Sequence, residues 1–491
     1  MLAEQSNKNK QPAEFIHSAN DALKRGRFSD AAAIMGRAIR EVPDHPDLLP
    51  LAIRTLIYVG EHREANRLLD HYLQLSAGDD CHLGLCAELY ALVQRQVEAV
   101  QIYRSLAVNG HRDARYNLGV NLLATGELAE AEQVLEDLVS EDPADAQAQL
   151  ILSGLRRVTV DNNHIGRLQE TLRNQRLPAM ERLKLHYAMG KEFEDIGEFQ
   201  QAFLHFQAGA DGRRAMLKYR VESDQQTLAL IAEHHRNVGP SNADPERGRE
   251  AVFIFGLPRS GTTLVDRILS SHSRCDSFGE ITDLPMSLMV MAGRSLPKEQ
   301  LVAETARWAP EAIADHYLGR LANFDSSAGK HIDKTPLNFL YAGLIARAMP
   351  GASMIWMERH PLDACFAMYK TLFKMGYPFS YSFEDLAAYY IAYDRLKRHW
   401  QEVLGDRVRL QSYEKLVQEF DPEARALVNT AGMEWEASCG EFHKNRSAVA
   451  TASSAQVRQP LYKRAVAHWR NYEEQLAPLA EALRAGGIEV D

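Results

Sequence analysis

The first half of the chain repeats itself, and this periodicity limits the possible folds more than any other feature. The segment 22–46, ALKRGRFSDAAAIMGRAIREVPDHP, aligns without a gap with 122–146, LLATGELAEAEQVLEDLVSEDPADA. Small and large apolar residues mark the other copies: Gly60, His62, Ala65, Leu69 and Tyr72; then Ala99, Tyr103 and Leu106; and later Gly190, Gly197, Phe199, Ala202 and Phe206. The first three copies are spaced by 34 residues.

Each copy has the composition of two helices joined by a turn. Glycine and alanine let the helices approach closely, a large residue such as Phe28 fills the space beside them, and Pro43 ends the second helix. Spacing and pattern resemble tetratricopeptide repeats, which implies a right-handed α-helical solenoid with a concave face. We assign 12–235 to this array and 1–11 to a flexible tail, although 147–182 keeps only the helical spacing.

Two uses of such an array remain open. Its surface can pack on the second half of the chain or form a homodimer. Alternatively, the concave face can hold an extended polypeptide, because stacked repeats present a long continuous surface.

Composition narrows the class of protein. The 491 residues exceed what one hydrophobic core usually supports, and a net charge of -10 argues against a general nucleic-acid or acidic-membrane binder. We find neither a signal peptide nor a membrane-spanning run, so we expect a cytoplasmic protein. The five cysteines form no disulfide or zinc pattern, and we expect reduced, structural thiols and no bound metal.

A linker rich in Gly, Pro, Asn and charge, 236–250, separates the array from a second domain at 251–491. The apolar run AVFIFG (251–256) predicts a buried parallel strand, and TTLVDRILSSH, from Thr262 onward, predicts a helix. The short loop between them aims backbone N–H groups and the positive helix end at one point, which favours phosphate or sulfate.

Three interpretations of this loop differ in what it holds. Gly256 and Gly261 have the spacing of an ATP-binding P-loop, but Thr262 occupies the position of its lysine, which disfavours an ATP-dependent kinase. In the second interpretation the loop is a plain tight turn that holds no ligand. The third rests on a resemblance: PRSGTT is similar to the loop by which sulfotransferases hold the 5′-phosphosulfate of 3′-phosphoadenosine-5′-phosphosulfate (PAPS). It implies cofactor contacts from these residues: Pro258, Arg259, Ser260, Gly261, Thr262 and Thr263.

Further matches follow in the family's order. MIWMERHPLDACFAMYK (354–370) resembles the strand whose terminal Arg binds the 3′-phosphate, which implies this role for Arg359. The family's serine eight residues later is Ala367 here, so one phosphate contact is lost or moved. The segments around Glu280 and Lys334 resemble those of tyrosylprotein sulfotransferases. Their likeness implies a Glu that takes the acceptor's proton and a Lys that meets the sulfuryl group.

The remaining matches lie near the C-terminus. LQSYEKLV (410–417) implies that Tyr413 lies near the nucleotide, and TASSAQVRQPLY (451–462) resembles the C-terminal cofactor loop. We expect Ser453 near the 3′-phosphate or the transferring group, and Arg458 and Lys463 either to add positive charge or to have a purely structural role.

The whole chain thus resembles bacterial tetratricopeptide-repeat sulfotransferases. It implies a P-loop-like α/β domain with a central parallel sheet and the nucleotide at the strands' C-terminal ends. The expected activity is transfer of a sulfuryl group from PAPS, without a metal, to a peptide tyrosine, a sugar or a small phenol. Arg259, Glu280 and Lys334 are the expected catalytic residues. A scaffold that has lost turnover, prompted by Ala367, is the principal alternative.

Overall fold

The structure is a computed structural model that describes residues 2–236, 244–374, 376–449, 451, 454 and 456–491, with side chains from residue 11 onward. The first half consists of thirteen helices among the described residues. They are α1 (Leu2–Lys24), α2 (Phe28–Glu41), α3 (Leu48–Val59), α4 (His62–Leu75), α5 (Asp80–Leu92), α6 (Gln96–Val108), α7 (Arg112–Thr125), α8 (Leu128–Glu141), α9 (Ala146–Leu155), α10 (Ile165–Leu172), α11 (Ala179–Ile196), α12 (Phe199–Ala215) and α13 (Val221–His234).

Helices of the array pair as the repeat pattern predicts. A Cβ added at Gly119 would lie 2.9 Å from Leu135, and one at Gly190 would lie 2.6 Å from the ring of Phe206. Glycine is therefore required where two helices cross closely. The apolar repeat positions are buried, including Ala31, Leu69, Tyr103 and Leu135. The N-terminal segment differs from its prediction, because residues 2–11 lie within α1.

The described part of the second half contains five strands: β1 (Ala251–Gly256), β2 (Cys275–Ser277), β3 (Lys330–Asp333), β4 (Ser353–Glu358) and β5 (Val408–Ser412). Its helices are α14 (Thr262–Leu269), α15 (Asp283–Ala292), α16 (Lys298–Thr305), α17 (Pro310–Leu321), α18 (Ala342–Ala348), α19 (Pro361–Tyr369), α20 (Phe383–Leu404), α21 (Tyr413–Gln418), α22 (Phe420–Thr430), α23 (Ala437–Gly440) and α24 (Glu473–Ala485). The predicted linker 236–250 contains residues 237–243, which lie outside the described residues.

All strand pairs in the sheet are parallel, in the order β2-β3-β1-β4-β5. Strand β1 pairs with β3 on one side and with β4 on the other, and each of its six residues is buried. A continuous apolar run is what such a central strand requires. The predicted α/β domain with a central parallel sheet is confirmed.

One edge of the array packs directly on this second domain. The turn inside each of the first four repeats contains a residue with positive φ: Gly26, Gly60, Gln94 and Gly126. All four contact the α/β domain. At Gly26, a Cβ would lie 2.8 Å from the backbone of Arg294, and the neighbouring Arg25 carbonyl accepts a hydrogen bond from the Ser295 amide at 3.0 Å.

Two of these turns are capped by arginines of the α/β domain. Arg320 donates to the carbonyls of Ile57 and Tyr58 at the end of α3, at 3.2 and 2.9 Å. Arg458 donates to Ala124 at the end of α7, at 2.7 Å. The last carbonyls of a helix lack partners within the helix and carry partial negative charge, so a guanidinium stabilises them. The array thus packs on the second half of the chain through its turns.

Buried polar contacts reinforce this interface. His62 and Arg320 both contact Asp283 Oδ1, at 2.7 and 2.8 Å, and all three side chains are almost fully buried. Burial alone would raise the pKa of Asp283, but the hydrogen bond from His62 and the charge of Arg320 lower it. A carboxylate held this way links the second repeat to the first turn of α15.

Candidate active site

The carboxyl ends of the five parallel strands meet at one edge of the sheet, and each strand is followed within three residues by a predicted site residue. In the order β1 to β5 these residues are Arg259, Glu280, Lys334, Arg359 and Tyr413. Crevices at the strand ends of open parallel sheets are the usual ligand sites of such folds. The topology therefore brings together residues that are far apart in sequence.

The loop after β1 depends on its two glycines. A Cβ at Gly256, which has a φ of 145°, would lie 2.5 Å from the Met357 carbonyl oxygen. At Gly261, with a φ of 103°, a Cβ would lie 2.6 Å from the ring of Tyr413. Gly261 immediately precedes the eight-residue helix α14. The chain can therefore turn from strand to helix only with glycine at both positions, of which Gly261 belongs to the PRSGTT motif.

A buried hydroxyl inside this loop lacks a partner. Ser260 is 1% exposed, and its Oγ makes no hydrogen bond to any described residue. An unpaired buried hydroxyl is unfavourable by about 1–3 kcal/mol unless a ligand satisfies it. On the same loop, Thr263 Oγ1 lies 3.5 Å from the hydroxyl of Thr451. The donors Ser260 and Thr263 fit an anion placed at the start of α14.

Two guanidinium groups meet at the loop. Arg359 Nη1 donates to the carbonyl of Arg259 at 3.0 Å and Nη2 donates to Ala465 at 2.7 Å, while its guanidinium lies 5.1 Å from the ring centre of Tyr413. Arg259 has an unusual φ of 67° and donates to Gln456 at 3.2 Å. Burial, and then the charge of Arg359, lower the pKa of Arg259. Because the charge of Arg359 disfavours a second cation at Arg259, a bound anion would be favourable at this loop.

Two of the predicted site residues, Lys334 and Glu280, contact each other directly. Lys334 Nζ donates to Glu280 Oε1 at 2.5 Å; the lysine side chain is 1% exposed and the glutamate side chain 44% exposed. The ammonium is thus buried at the end of β3 while the carboxylate is open to an incoming group. This geometry suits a lysine that stabilises negative charge and a glutamate that accepts a proton.

Asp266 on α14 is a site residue that the sequence analysis missed. It is buried and its Oδ1 has no hydrogen-bond partner among the described residues. Burial raises the pKa of Asp266, and the nearby charge of Lys334 opposes this rise. The only signal was a carboxylate beside Arg267 in a helix whose other central residues are apolar. Gln456, the partner of Arg259, lay unrecognised inside the C-terminal motif.

The other predicted residues have mixed positions. Tyr413 is buried against Gly261, and burial raises its pKa to about 12. Arg458 contacts the end of α7, which is the structural role we left open. Lys463 is exposed, and Ser453 lies outside the described residues. Ala367 is buried, and its carbonyl accepts a hydrogen bond from Thr371 at 2.8 Å.

A cavity of about 540 Å³ adjoins the site on the side of α20. Ser260 and Arg359 line it, together with Tyr390, Tyr393 and Lys397, whereas Glu280 and Lys334 do not. Lys397 is itself paired with Glu358 at 2.7 Å. The loop after β1 therefore lines this cavity, whereas the Lys334–Glu280 pair lies outside its lining.

Among the described residues, no helix is long and apolar enough to cross a membrane. No cluster of three or more His, Cys, Asp or Glu residues in the same part of the chain is arranged to hold a metal ion. All five cysteines are free, and four of them are buried.

Comparison with known proteins agrees with this architecture. Residues 251–437 match the Sulfotransferase family and 94–155 match the tetratricopeptide repeat family. A protein of Aquifex aeolicus (strain VF5) of uncharacterized function is 27% identical over 388 residues, which are 74% of this chain and 49% of that protein. The chain thus spans about half the length of this relative. A protein of Caenorhabditis briggsae with the provisional name of a protein-tyrosine sulfotransferase is 22% identical over 45% of this chain and 80% of its own.

Solved structures include similar domains. The sulfotransferase domain of the Synechococcus PCC 7002 olefin synthase aligns with 50% of this chain and 98% of that domain, at 18% identity and a TM-score of 0.34. The sulfotransferase domain of the curacin biosynthetic pathway aligns with 49% of this chain and 98% of that domain, at 15% identity and a TM-score of 0.33. By sequence, residues 251–437 are similar to the Sulfotransferase family and follow a segment similar to tetratricopeptide repeats. This combination is the one that its motifs predicted.

Proposed function

We propose that this protein transfers a sulfuryl group from PAPS to the hydroxyl of an acceptor. The observation that carries the proposal is the convergence of Arg259, Arg359 and the unpaired Ser260 hydroxyl at the strand ends, next to the Lys334–Glu280 pair. These groups combine anion binding with a paired acid and base in one crevice.

The residues of the loop suit the donor's charges. Arg259, Ser260 and the first backbone N–H groups of α14 would hold the 5′-phosphosulfate, and Arg359 the 3′-phosphate. The Tyr413 ring makes a cation–π contact with the guanidinium of Arg359. Bound there, PAPS supplies an activated sulfuryl group on a phosphate leaving group.

The transfer itself needs little covalent chemistry from the protein. The acceptor oxygen forms a bond to sulfur while the bond between sulfur and the bridging phosphate oxygen breaks. Glu280 takes the proton of the acceptor hydroxyl, and Lys334 stabilises the charge that develops on the leaving oxygen. The products are the sulfated acceptor and 3′-phosphoadenosine-5′-phosphate.

The acceptor is a peptide tyrosine, a sugar or a small phenol. A peptide fits the array, because stacked repeats offer a concave surface for an extended chain, and the C. briggsae relative carries a tyrosine sulfotransferase name. A cytoplasmic location is part of the proposal, because five free thiols fit a reducing compartment.

Mass spectrometry tests the activity. Cell extract incubated with the protein and PAPS should contain molecules with added sulfate, whereas extract incubated with Arg259→Ala should not. The substitution should also weaken binding of 3′-phosphoadenosine-5′-phosphate about 10-fold to 100-fold, the range for hydrogen bonds from a charged group. Arg484→Ala on α24, which removes an exposed cation of the same domain, is the control and should behave as wild type. Full PAPS-dependent activity in Arg259→Ala would refute the proposal for this loop.

A scaffold without turnover is the second candidate, since Ala367 has no hydroxyl for the 3′-phosphate. Calorimetry separates the two candidates. Micromolar binding of 3′-phosphoadenosine-5′-phosphate supports the enzyme, and no binding at millimolar nucleotide supports the scaffold. The same titration with ATP and magnesium tests for a kinase.

A further inference from the structure

The third repeat turn breaks the pattern of its neighbours at one residue. The corresponding positions of the first two repeats are Gly26 and Gly60, but the third has Gln94, with a φ of 64°. A side chain in this conformation is strained, and such strain tends to persist at functional positions. The turn therefore retains a costly residue where glycine would fit more easily.

The Gln94 side chain reaches the site. Its Nε2 donates a hydrogen bond to the carbonyl of Phe278. Its Oε1 lies 2.8 Å from the point where a Cβ on Gly279 would stand, and Gly279 itself has a φ of 66°. The next residue is Glu280, so a side chain of the repeat array packs against the backbone directly before the carboxylate.

Strand β3 and its following residues hold the same segment from the other side. The Phe278 amide donates to Ile332 at 2.9 Å, the Lys334 amide donates to Gly279 at 2.9 Å, and Thr335 Oγ1 donates to Ile281 at 2.5 Å. These bonds leave the carbonyl of Phe278 to Gln94. Segment 278–281 is thus clamped between the sheet and the array.

The position of Glu280 depends on this clamp. Its side chain is half exposed and contacts Lys334, so solvent and the lysine alone would allow several orientations. A displacement of a catalytic group by about 1 Å can lower turnover strongly. A fixed backbone at 278–279 therefore matters more for the carboxylate than for the phosphate-binding loop.

We propose that Gln94 is a positioning residue that holds segment 278–280 so that Glu280 faces the acceptor. The inference rests on the proposed function for the catalytic role of Glu280. The repeat array then completes the active site, in addition to any polypeptide that it recruits.

Gln94→Gly in the full-length protein is the decisive variant, because glycine is the residue that two neighbouring repeats use at this turn. Its thermal unfolding midpoint should equal or exceed that of wild type, since the strained φ is relieved. We expect kcat to fall about fivefold to tenfold, the effect of losing one hydrogen bond, with an unchanged KM for PAPS. Hydrogen exchange of the amides of 278–281 should become faster.

Gln225→Ala is the matched control. Gln225 on α13 also donates from Nε2 to a backbone carbonyl of the α/β domain, that of Ala388 on α20, at 3.3 Å. Its loss should leave kcat and the exchange of 278–281 unchanged. Gln94→Asn, whose residue type tolerates positive φ but whose amide is shorter, should reproduce the kcat loss if Gln94→Gly is unstable.

The outcomes separate the two proposals. A wild-type protein that binds no 3′-phosphoadenosine-5′-phosphate and transfers no sulfate refutes the proposed function, whereas the exchange measurement still reports on the clamp. An active wild type with a Gln94→Gly variant of equal kcat overturns the inference. Unchanged exchange at 278–281 in both Gln94 variants also overturns it.

Discussion

The loop after β1 and the segment around Glu280 both supply polar groups to one crevice, but they are built in different ways. Consecutive residues form the loop, and two glycines bound it. The Glu280 segment is short and takes its position from β3 and from Gln94, a residue 184 positions away. An anion-binding loop can therefore be local in sequence, whereas the acid–base geometry depends on how two domains pack.

Lys334→Ala should have the largest effect, because it removes the buried cation that pairs with Glu280. We expect kcat for sulfate transfer to fall about 1000-fold, as when a preorganised donor is removed from an active site. Calorimetry should show that 3′-phosphoadenosine-5′-phosphate binds within about tenfold of wild type, because the β1 loop is intact. If nucleotide binding weakened as much as kcat fell, the β1 loop and the Lys334–Glu280 pair would not be separate functional units.

Gly261→Ala tests the loop after β1, the region formed by consecutive residues. The added methyl group would meet the Tyr413 ring and force a φ of 103° on alanine. We expect the free energy of unfolding to fall by about 2–4 kcal/mol, from overpacking and backbone strain together. Chemical denaturation measures it. Gly319→Ala is the matched control, since a Cβ there meets nothing within 4 Å and the residue lies inside α17, so stability should rise by about 0.5–1 kcal/mol.

Asp333→Asn addresses the strand end that holds the Glu280 segment. Burial raises the pKa of Asp333 to about 7, above its value of about 4 in the unfolded chain. The folded protein then binds more protons than the unfolded chain between these values, so this carboxyl lowers stability as pH rises from about 4 to 7. Asp333→Asn removes that contribution.

Chemical denaturation of wild type and Asp333→Asn at pH 5 and pH 8 measures this contribution to stability. The stability of Asp333→Asn relative to wild type should increase by about 2 kcal/mol over this interval. Tyr317 and the Thr335 amide, which bond the carboxyl at 3.0 and 3.1 Å, can still bond an amide side chain. An unchanged difference between the two pH values would mean that Asp333 titrates at its ordinary pKa.

Much of this organisation could be predicted, because it is local. A helix pair encodes its own close contacts, so Gly190 and Phe206 were recognisable as repeat positions, and the structure shows that they contact each other. Strand β1 was visible as an apolar run because it is buried on both faces. Motif order also singled out Lys334 and Glu280 as candidate site residues, although their ion pair was visible only in the structure.

Contacts between distant segments escaped prediction. For Arg458 the sequence left added positive charge and a structural role open, and only the structure shows that its guanidinium donates to the carbonyl end of α7. The only signal for Gln94 was a missing glycine, and the only signal for Asp266 was a carboxylate beside Arg267 in α14. Residues 2–11 continue α1 although their composition indicated a tail.

The amino-acid sequence by itself determined the helical repeats, the parallel sheet and the glycine-bounded loop, since short-range sterics and apolar periodicity specify each of them. Only the tertiary structure decided which turns of the array meet the strand ends and which side chains cross between them. The reason is physical: interdomain hydrogen bonds such as that of Gln94 require a partner whose position is set by packing over the whole chain, and no local pattern records it.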